Sequence, residues 1–134
     1  MLILVSDDDP LYRNLMQGLL EEWHFEVVLA TNGAEAWAIL QQPDAPAVAI
    51  LDWMMPEMEG YEVCRKIRQA RSDGVPYILL MTSNNSREDL LKVILAGADD
   101  YLLKPFEPLD LKIRLRTGIR ILNLKEDVRS ISVK

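Results

Sequence analysis

Five short apolar runs constrain the fold of this chain more than any other feature, because each is nearly continuous instead of alternating with polar residues. They are Leu2–Val5, Val27–Ala30, Ala47–Leu51, Tyr77–Met81 and Tyr101–Leu103. Strands buried on both faces of a parallel sheet have this pattern. The runs begin 20 to 30 residues apart, which leaves room for one helix between successive strands. The sequence therefore predicts a doubly wound (βα)5 fold of the α/β class, with a parallel five-stranded sheet.

Helical patterns occupy the gaps between these runs. The first helix is predicted from Pro10, a residue that suits the first helical position, and an apolar residue recurs at every fourth position after it. This stripe consists of Leu11, Leu15, Leu19 and Trp23. Further helices are predicted over Ala34–Leu40, from Gly60 to about Ala70, between Ser86 and the glycine stop at Gly97, and from about Pro108 onward.

Composition narrows the functional classes. The length of 134 residues suits one compact domain, and the single cysteine, Cys64, cannot form an internal disulfide. Apolar stretches reach only about five residues, far short of the roughly 20 needed to cross a bilayer, and the first residues do not form a signal peptide. The net charge of −6 has the wrong sign for binding nucleic acid by bulk electrostatics. We therefore expect a cytoplasmic domain without a membrane segment and without direct nucleic-acid contact.

The chain is predicted to divide near residue 122. Residues 1–122 contain all five βα units, whereas residues 123–134 are more polar and fit no further unit. Apolar residues around this boundary follow a 3-4-3 spacing, which is the start of a heptad-like stripe. They are Ile121, Leu124, Val128 and Ile131. The last segment is therefore interpreted as a helical extension or a linker to an output domain, with a frayed helix end as the other interpretation.

Polar side chains follow four of the five apolar runs. They are Asp7–Asp9 after the first run, Asp52 after the third, Thr82 and Ser83 after the fourth, and Lys104 after the fifth. Ligands of open α/β sheets bind outside the carboxyl ends of the strands. We therefore expect carboxylates, hydroxyls and one ammonium group to meet at a single edge of the sheet.

The run of three acids at residues 7–9 indicates a metal site. An aspartate before Pro10 is an ordinary helix cap, which accounts for one acid but not for three. Adjacent carboxylates repel and raise one another's pKa, so the cluster favours a bound cation over a solvated capping run. Mg²⁺ prefers such oxygen ligands, and a carboxylate such as Asp52 can attack phosphorus to form an acyl phosphate. Lys104 and a hydroxyl can then stabilise the transition state, so the residues predict phosphoryl transfer.

The sequence resembles the receiver domain of two-component response regulators from about Leu2 to Leu122. Four stretches carry the resemblance in the same order and spacing: Ile3–Pro10, Leu51–Pro56 with Gly60, Met81–Ser83 and Gly97–Phe106. The resemblance implies a CheY-like, flavodoxin-like sheet with strand order 2-1-3-4-5. Ser6 departs from the family pattern, since an apolar residue is commoner at its position.

The resemblance also implies the phosphorylation site and its metal ligands. Asp52 matches the aspartate that accepts phosphate from the phosphohistidine of a histidine kinase or phosphotransfer protein. Asp7 and Asp8 match the acid pair that holds Mg²⁺, with Asp52 and the backbone carbonyl of Met54 as further ligands. Met54 and Asn84 match the positions that line the approach of water to the phosphoryl group.

Three more residues acquire roles from the resemblance. Thr82 matches the hydroxyl residue that shifts toward the phosphoryl group, and Tyr101 matches the aromatic residue that changes rotamer with it. Lys104 matches the cation that pairs with the phosphoryl oxygens, and its peptide bond to Pro105 is expected to be cis. The implied function is a phosphorylation-controlled switch and not an enzyme with a separate substrate, although it can speed the loss of its own phosphate.

The resemblance implies a histidine kinase or phosphotransfer protein as a partner, and we hypothesise that a further partner or a second copy of the chain also binds. The second copy is expected on the face formed by the fourth helix, the fifth strand and the fifth helix. Arg114–Lys125 loosely resembles the joint between a receiver and an output domain such as a diguanylate cyclase or a phosphatase.

Three other functions compete with this one. An aspartate-nucleophile phosphatase of the haloacid dehalogenase type needs a second acid two residues after Asp52, where this chain has Met54. A flavodoxin-like module would bind the phosphate of flavin mononucleotide, which the acids at residues 7–9 repel. A pseudo-receiver that only mediates protein contacts remains a third alternative.

Overall fold

The computed structural model describes residues 1–83 and 86–133, within which strands and helices alternate five times. Strands β1 to β5 span Leu2–Ser6, Glu26–Ala30, Val48–Asp52, Tyr77–Thr82 and Asp100–Leu103. Helices α1 to α5 span Pro10–Glu22, Gly33–Leu40, Gly60–Ala70, Arg87–Ala96 and Pro108–Val133. Asn84 and the side chain of Ile131, both named in the predictions above, lie outside what is described.

The strands form one parallel sheet in the order β2-β1-β3-β4-β5, which confirms the predicted fold class and strand order. Every residue of β3 and β4 is buried, as expected for strands covered on both faces. The predicted strands are correct to within a residue at each end. The polar residues Ser6, Asp52 and Thr82 complete β1, β3 and β4, so the strands carry these side chains directly to the edge of the sheet.

Two hydrophobic cores lie on opposite faces of the sheet, because successive side chains of a strand point to opposite sides. One core packs residues of α2, α3 and α4, such as Leu40, Ile67 and Val93, against the sheet. The other packs residues of α1 and α5, such as Leu20 and Leu115, against the opposite face. Full burial of each large apolar side chain contributes about 1.5–3 kcal/mol, so both helical layers are fixed to the sheet.

The predicted helix α1 is confirmed, but its apolar stripe is only partly buried. Leu19 and Trp23 pack against the core, but Leu11 is 78% exposed and Leu15 is 48% exposed. The first turn of α1 follows the loop beyond the carboxyl end of β1, so these two leucines lie beside Pro105 and Phe106 and not over the sheet. The four-residue period identified the helix but not which of its faces the sheet covers.

Helix α5 continues past residue 122 as one helix, and two contacts fix it to the rest of the chain. Gly118 lies so close to the Tyr77 ring that a Cβ atom at this position would collide with it. Farther along, the Lys125 Nζ donates a hydrogen bond to the carbonyl oxygen of Gly74 at 3.0 Å. Among residues 1–83 and 86–133, no helix has the length and apolar character that crossing a membrane requires.

Candidate phosphorylation site

The sheet topology brings the predicted site residues together at the carboxyl ends of four strands. Ser6 of β1 pairs with Leu51 of β3, so the loop after β1 begins next to the end of β3. Thr82 ends β4 and pairs with the last residue of β5, which directly precedes Lys104. The ends of β1 and β3 thus position the acids, the end of β4 positions the hydroxyl, and the end of β5 positions the ammonium group.

Three carboxylates share this edge. Asp7 is fully buried, Asp52 is 8% exposed, and Asp8 is exposed to solvent. One oxygen from each of the three lies within 4.8 Å of the others. A single hard cation at this position can therefore contact all three side chains.

Lys104 bridges the two buried acids. Its Nζ donates a hydrogen bond to Asp7 Oδ2 at 2.8 Å and lies 3.1 Å from Asp52 Oδ1. Burial disfavours the charged ammonium, but the hydrogen bond to Asp7 and the charges of both acids outweigh it and raise the pKa of Lys104. The lysine is therefore a cation at neutral pH. Its bond to Pro105 is cis, as expected.

Asp52 has an unusually basic carboxylate for an aspartate beside a lysine. Burial is the main cause, and repulsion from Asp7 adds to it, while the attraction of Lys104 opposes both. Together these influences raise the pKa of Asp52 to about 6. One ammonium group does not balance two buried carboxylates, so the site favours an additional positive charge.

Backbone and side-chain hydrogen bonds hold the acidic loop in place. The backbone N–H of Asp9 donates to Asp7 Oδ1 at 2.9 Å, and Asp9 caps α1 by accepting from the N–H of Leu11 at 2.9 Å. Arg13 Nη1 donates to the Asp7 carbonyl oxygen at 2.7 Å. The capping role assigned to an aspartate before Pro10 is confirmed, and the loop is ordered by the protein's own groups.

A cavity of about 270 Å³ opens beside Asp52 and has room for a phosphoryl group. It is lined by Asp52, Trp53, Met54, Thr82, Ser83, Asp89 and Lys104. The Met54 side chain is 64% exposed at the rim, whereas Thr82 is 5% exposed. A Cβ atom on Gly60 would collide with the Asp52 carbonyl oxygen, so glycine at this position lets α3 begin close to the end of β3.

Tyr101 lies on β5, next to the strand β4 that ends at Thr82, the hydroxyl residue whose shift Tyr101 is expected to follow. It is half-buried on β5, opposite Leu80 of β4, and its ring packs against the core covered by α4. Arg114 of α5 donates from Nε to the Tyr101 carbonyl oxygen at 2.6 Å. Tyr101 thus links β4, at a position two residues before Thr82, to α5.

The sequence analysis missed the contacts of three residues at this edge. Tyr12 covers the Lys104 ammonium, Arg13 binds the Asp7 carbonyl, and the Ser6 hydroxyl lies 3.1 Å from the Met55 sulfur and 3.2 Å from the Asn32 carbonyl oxygen, to which it donates. The helical period could have predicted the first two, because residues one turn after the cap return over the acidic loop. No local pattern marks the contacts of Ser6, which join three separate loops.

Comparison with known proteins identifies the family of this site and fold. The family described as "Response regulator receiver domain" matches residues 3–116. Response regulator MprA of Mycobacterium avium (strain 104) is 38% identical over 133 residues, which are 99% of this chain and 57% of that protein. Chemotaxis protein CheY4 of Vibrio cholerae has a solved structure with a TM-score of 0.79 at 31% identity, covering 87% of this chain and 97% of that chain.

A solved protein described as a probable two-component system response regulator/GGDEF domain protein is also similar. Its TM-score is 0.85 at 28% identity, over 92% of this chain and 50% of that chain. The chain spans about half the length of the curated relatives that it matches. This chain belongs to the response regulator receiver family and is the receiver domain of a two-component response regulator.

Proposed function

We propose that this chain is the phosphoacceptor switch of a two-component phosphorelay and that Asp52 takes the phosphoryl group. One observation carries the proposal: the buried Asp52 carboxylate lies 3.1 Å from Lys104 and within 4.8 Å of oxygens of two further acids, beside an open cavity. A pair that only stabilised the fold would not combine one cation with three acids. Phosphoryl transfer requires this combination of nucleophile, cation and metal ligands.

The donor set fits Mg²⁺. Asp7, Asp8 and Asp52 offer carboxylate oxygens within reach of one ion, and the backbone carbonyl of Met54 would add a further oxygen ligand. Three carboxylates against the single ammonium of Lys104 leave a negative charge that a divalent cation balances. When bound, the ion supplies Lewis-acid stabilisation of the phosphoryl oxygens.

The transfer step follows from the position of Asp52. A carboxylate oxygen attacks the phosphorus of a phosphohistidine on a histidine kinase or phosphotransfer protein, and the P–N bond breaks as the imidazole takes the electron pair and a proton. An acyl phosphate forms on Asp52. Lys104, already 3.1 Å from the nucleophile, pairs with the phosphoryl oxygens, and the Thr82 hydroxyl donates to another.

The phosphoryl group then changes the surface beyond the site. Thr82 ends β4, and Lys104 directly follows β5. Their movement toward the dianionic phosphoryl group therefore shifts the starts of α4 and α5. Tyr101 changes rotamer to fill the space that Thr82 leaves. Phosphorylation favours one of two arrangements by a coupling of about 1–3 kcal/mol. The receiver acts in the cytoplasm and speeds the loss of its own phosphate, with no separate substrate.

The α4-β5-α5 face is the proposed surface for a second copy or an output domain. Its helices expose large apolar side chains that are 53% to 71% accessible to solvent: Leu91, Ile94, Leu95, Leu109 and Ile113. Leu124 and Val128, farther along α5, are also exposed, at 56% and 62%. In a longer protein, residues 123–134 would join residues 1–122 to an output domain such as a diguanylate cyclase or a phosphatase. Neither nucleic acid nor membrane is a proposed partner of this domain.

Phosphate uptake tests the proposed function. We expect acetyl phosphate with Mg²⁺ to add one phosphate mass increment, which hydroxylamine removes because an acyl phosphate reacts with it. Asp52→Asn should abolish the increment, since the amide is not a nucleophile, and Asp44→Asn is the matched control at an exposed acid. Mass spectrometry of the intact protein makes the measurement. An unchanged increment in Asp52→Asn would contradict the assignment and favour a pseudo-receiver.

Self-association tests the proposed face. Light scattering over a concentration series should show a larger particle mass after addition of beryllofluoride with Mg²⁺, which mimics the phosphoryl group. Tyr101→Ala and Leu124→Asp should each reduce this association, and Leu11→Ala, an exposed leucine on α1, is the control. A monomer at every concentration, or full association in both variants, would rule out this route.

A further inference from the structure

Tyr12 makes a contact that the proposed function does not use. The Nζ atom of Lys104 lies 4.0 Å from the centroid of the Tyr12 ring. The other cation–ring contacts in the described part of the chain are 5.5 Å or longer. Attraction between a cation and an aromatic face acts within about 6 Å and is stronger where water is excluded. The Lys104 side chain is only 10% exposed, so this contact belongs to the stronger kind.

The ring completes the surroundings of the ammonium group. Asp7 Oδ2 accepts from Nζ at 2.8 Å, and Asp52 Oδ1 lies 3.1 Å from the same nitrogen. An ammonium group has three donors, and the two carboxylates account for two directions. The face of Tyr12 covers another side of the group. Lys104 is thus held by electrostatic attraction from three protein groups at once.

The Tyr12 ring is held in place by its own helix and by the loop that carries Lys104. Tyr12 lies in the first turn of α1, which the Asp9 side chain caps. The Phe106 ring, two residues after Lys104, packs against the Tyr12 ring with a centroid distance of 6.1 Å and a tilt of 40°. The two aromatic rings therefore join the start of α1 to the loop after β5.

We propose that Tyr12 is a positioning residue that holds the Lys104 ammonium between Asp7 and Asp52 before the phosphoryl group arrives. The inference rests on the proposed function, because the position of Lys104 affects transfer only if this lysine pairs with phosphoryl oxygens. Leucine at position 12 would occupy a similar volume without attracting the cation, so the ammonium would sample more positions and stabilise the transition state less often.

Rates of phosphorylation test the role in transfer. With acetyl phosphate at saturating Mg²⁺, Tyr12→Leu should lower the maximal rate constant roughly three- to tenfold, while the Mg²⁺ concentration for half-maximal rate stays within about twofold. Tyr12→Phe keeps the aromatic face and should restore the rate, and Leu11→Ala is the neighbouring control. General damage to the site would instead weaken Mg²⁺ binding as well. Equal rates for wild type and Tyr12→Leu, or equal losses for Tyr12→Leu and Tyr12→Phe, would overturn the inference.

Proton NMR of the metal-free, unphosphorylated protein gives a readout that does not depend on transfer. Because the Lys104 Nζ lies 4.0 Å from the ring centroid, we expect the resonance of the adjacent methylene protons to be shifted upfield in wild type and Tyr12→Phe and unshifted in Tyr12→Leu. An unshifted resonance in wild type would overturn the inference even if Asp52 is phosphorylated normally. A shifted resonance in a wild type that accepts no phosphate would support the contact and overturn the proposed function instead.

Discussion

Two carboxylate–cation pairs lie at opposite ends of the parallel sheet and differ in how each carboxylate is satisfied. At the amino end of β4, Asp99 Oδ2 accepts from Arg68 Nη2 at 2.7 Å and from the backbone N–H of Ile78 at 2.7 Å. At the carboxyl end of β3, Asp52 shares the Lys104 ammonium with a second buried acid. One cation balances one acid in the first pair, whereas one cation bridges two acids in the second.

The difference separates a structural pair from the pair at the proposed phosphorylation site. Arg68 of α3 also donates from Nε to the Gly97 carbonyl oxygen at 2.9 Å. Its bonds to Gly97 and Asp99 therefore fix the loop between α4 and β5 to α3. Asp52 lacks such complete pairing, and burial with repulsion from the neighbouring acid raises its pKa to about 6. The unbalanced charge at one end of the sheet thus favours a bound cation, while the balanced charge at the other end holds the fold together.

Removal of Asp8 should produce the largest change at the proposed phosphorylation site. Because Asp8 is exposed and is a proposed direct ligand, Asp8→Ala should weaken Mg²⁺ affinity by about 30-fold or more, while the free energy of unfolding changes by less than about 0.5 kcal/mol. The fluorescence of Trp53, next to Asp52, reports Mg²⁺ titrations, and Trp53→Phe tests the origin of the signal. Asp44→Ala is the exposed control. An affinity within about threefold of wild type would remove Asp8 from the ligand set.

Neutralising Asp52 should stabilise the metal-free protein. The native state raises the pKa of this carboxyl from its usual 3.8 to about 6, so it binds the proton more tightly than the unfolded chain does. Deprotonation therefore destabilises the native state as the pH rises from about 4 to about 6, and Asp52→Asn should add about 1–3 kcal/mol at pH 7. Urea unfolding with a chelator present measures this. A loss of stability in Asp52→Asn would show that the pair is structural, like that of Asp99.

Breaking the Arg68–Asp99 pair should lower the stability of the fold and leave the metal site unchanged. We expect its effect to be the smallest of the three. Arg68→Ala removes the guanidinium donors to Asp99 and Gly97, while the Ile78 N–H still binds Asp99, and should lower the free energy of unfolding by about 1–2 kcal/mol. Phosphate uptake and Mg²⁺ affinity should stay within about twofold, because the pair lies at the other end of the sheet. Urea unfolding and the same fluorescence titration give both values. A large loss of Mg²⁺ affinity would contradict the separation of the two ends.

The sequence predicted the parts of this comparison that depend on local pattern. Two-sided burial makes strands such as β3 and β4 continuous apolar runs, and parallel strands align their ends, so the positions of Asp52 and Lys104 at one edge follow from the sequence alone. The pairing of Arg68 with Asp99 could not be predicted, since it joins α3 to the loop before β5 and depends on how these two segments pack together. The helical period could have placed Tyr12 over the acidic loop, but its contact with Lys104 also depends on how α1 docks beside the loop after β5, which no local pattern predicts.

Chemical mapping of the phosphorylated residue tests the central claim most directly. Borohydride reduces an aspartyl acyl phosphate to the alcohol, so the phosphorylated aspartate becomes homoserine, which mass spectrometry of peptides locates. After treatment with acetyl phosphate and Mg²⁺, we expect homoserine in place of Asp52 alone, and none when a chelator is present. Homoserine at Asp7, Asp8 or any other aspartate, or its absence after treatment with Mg²⁺, would contradict the assignment of Asp52 as the phosphoacceptor.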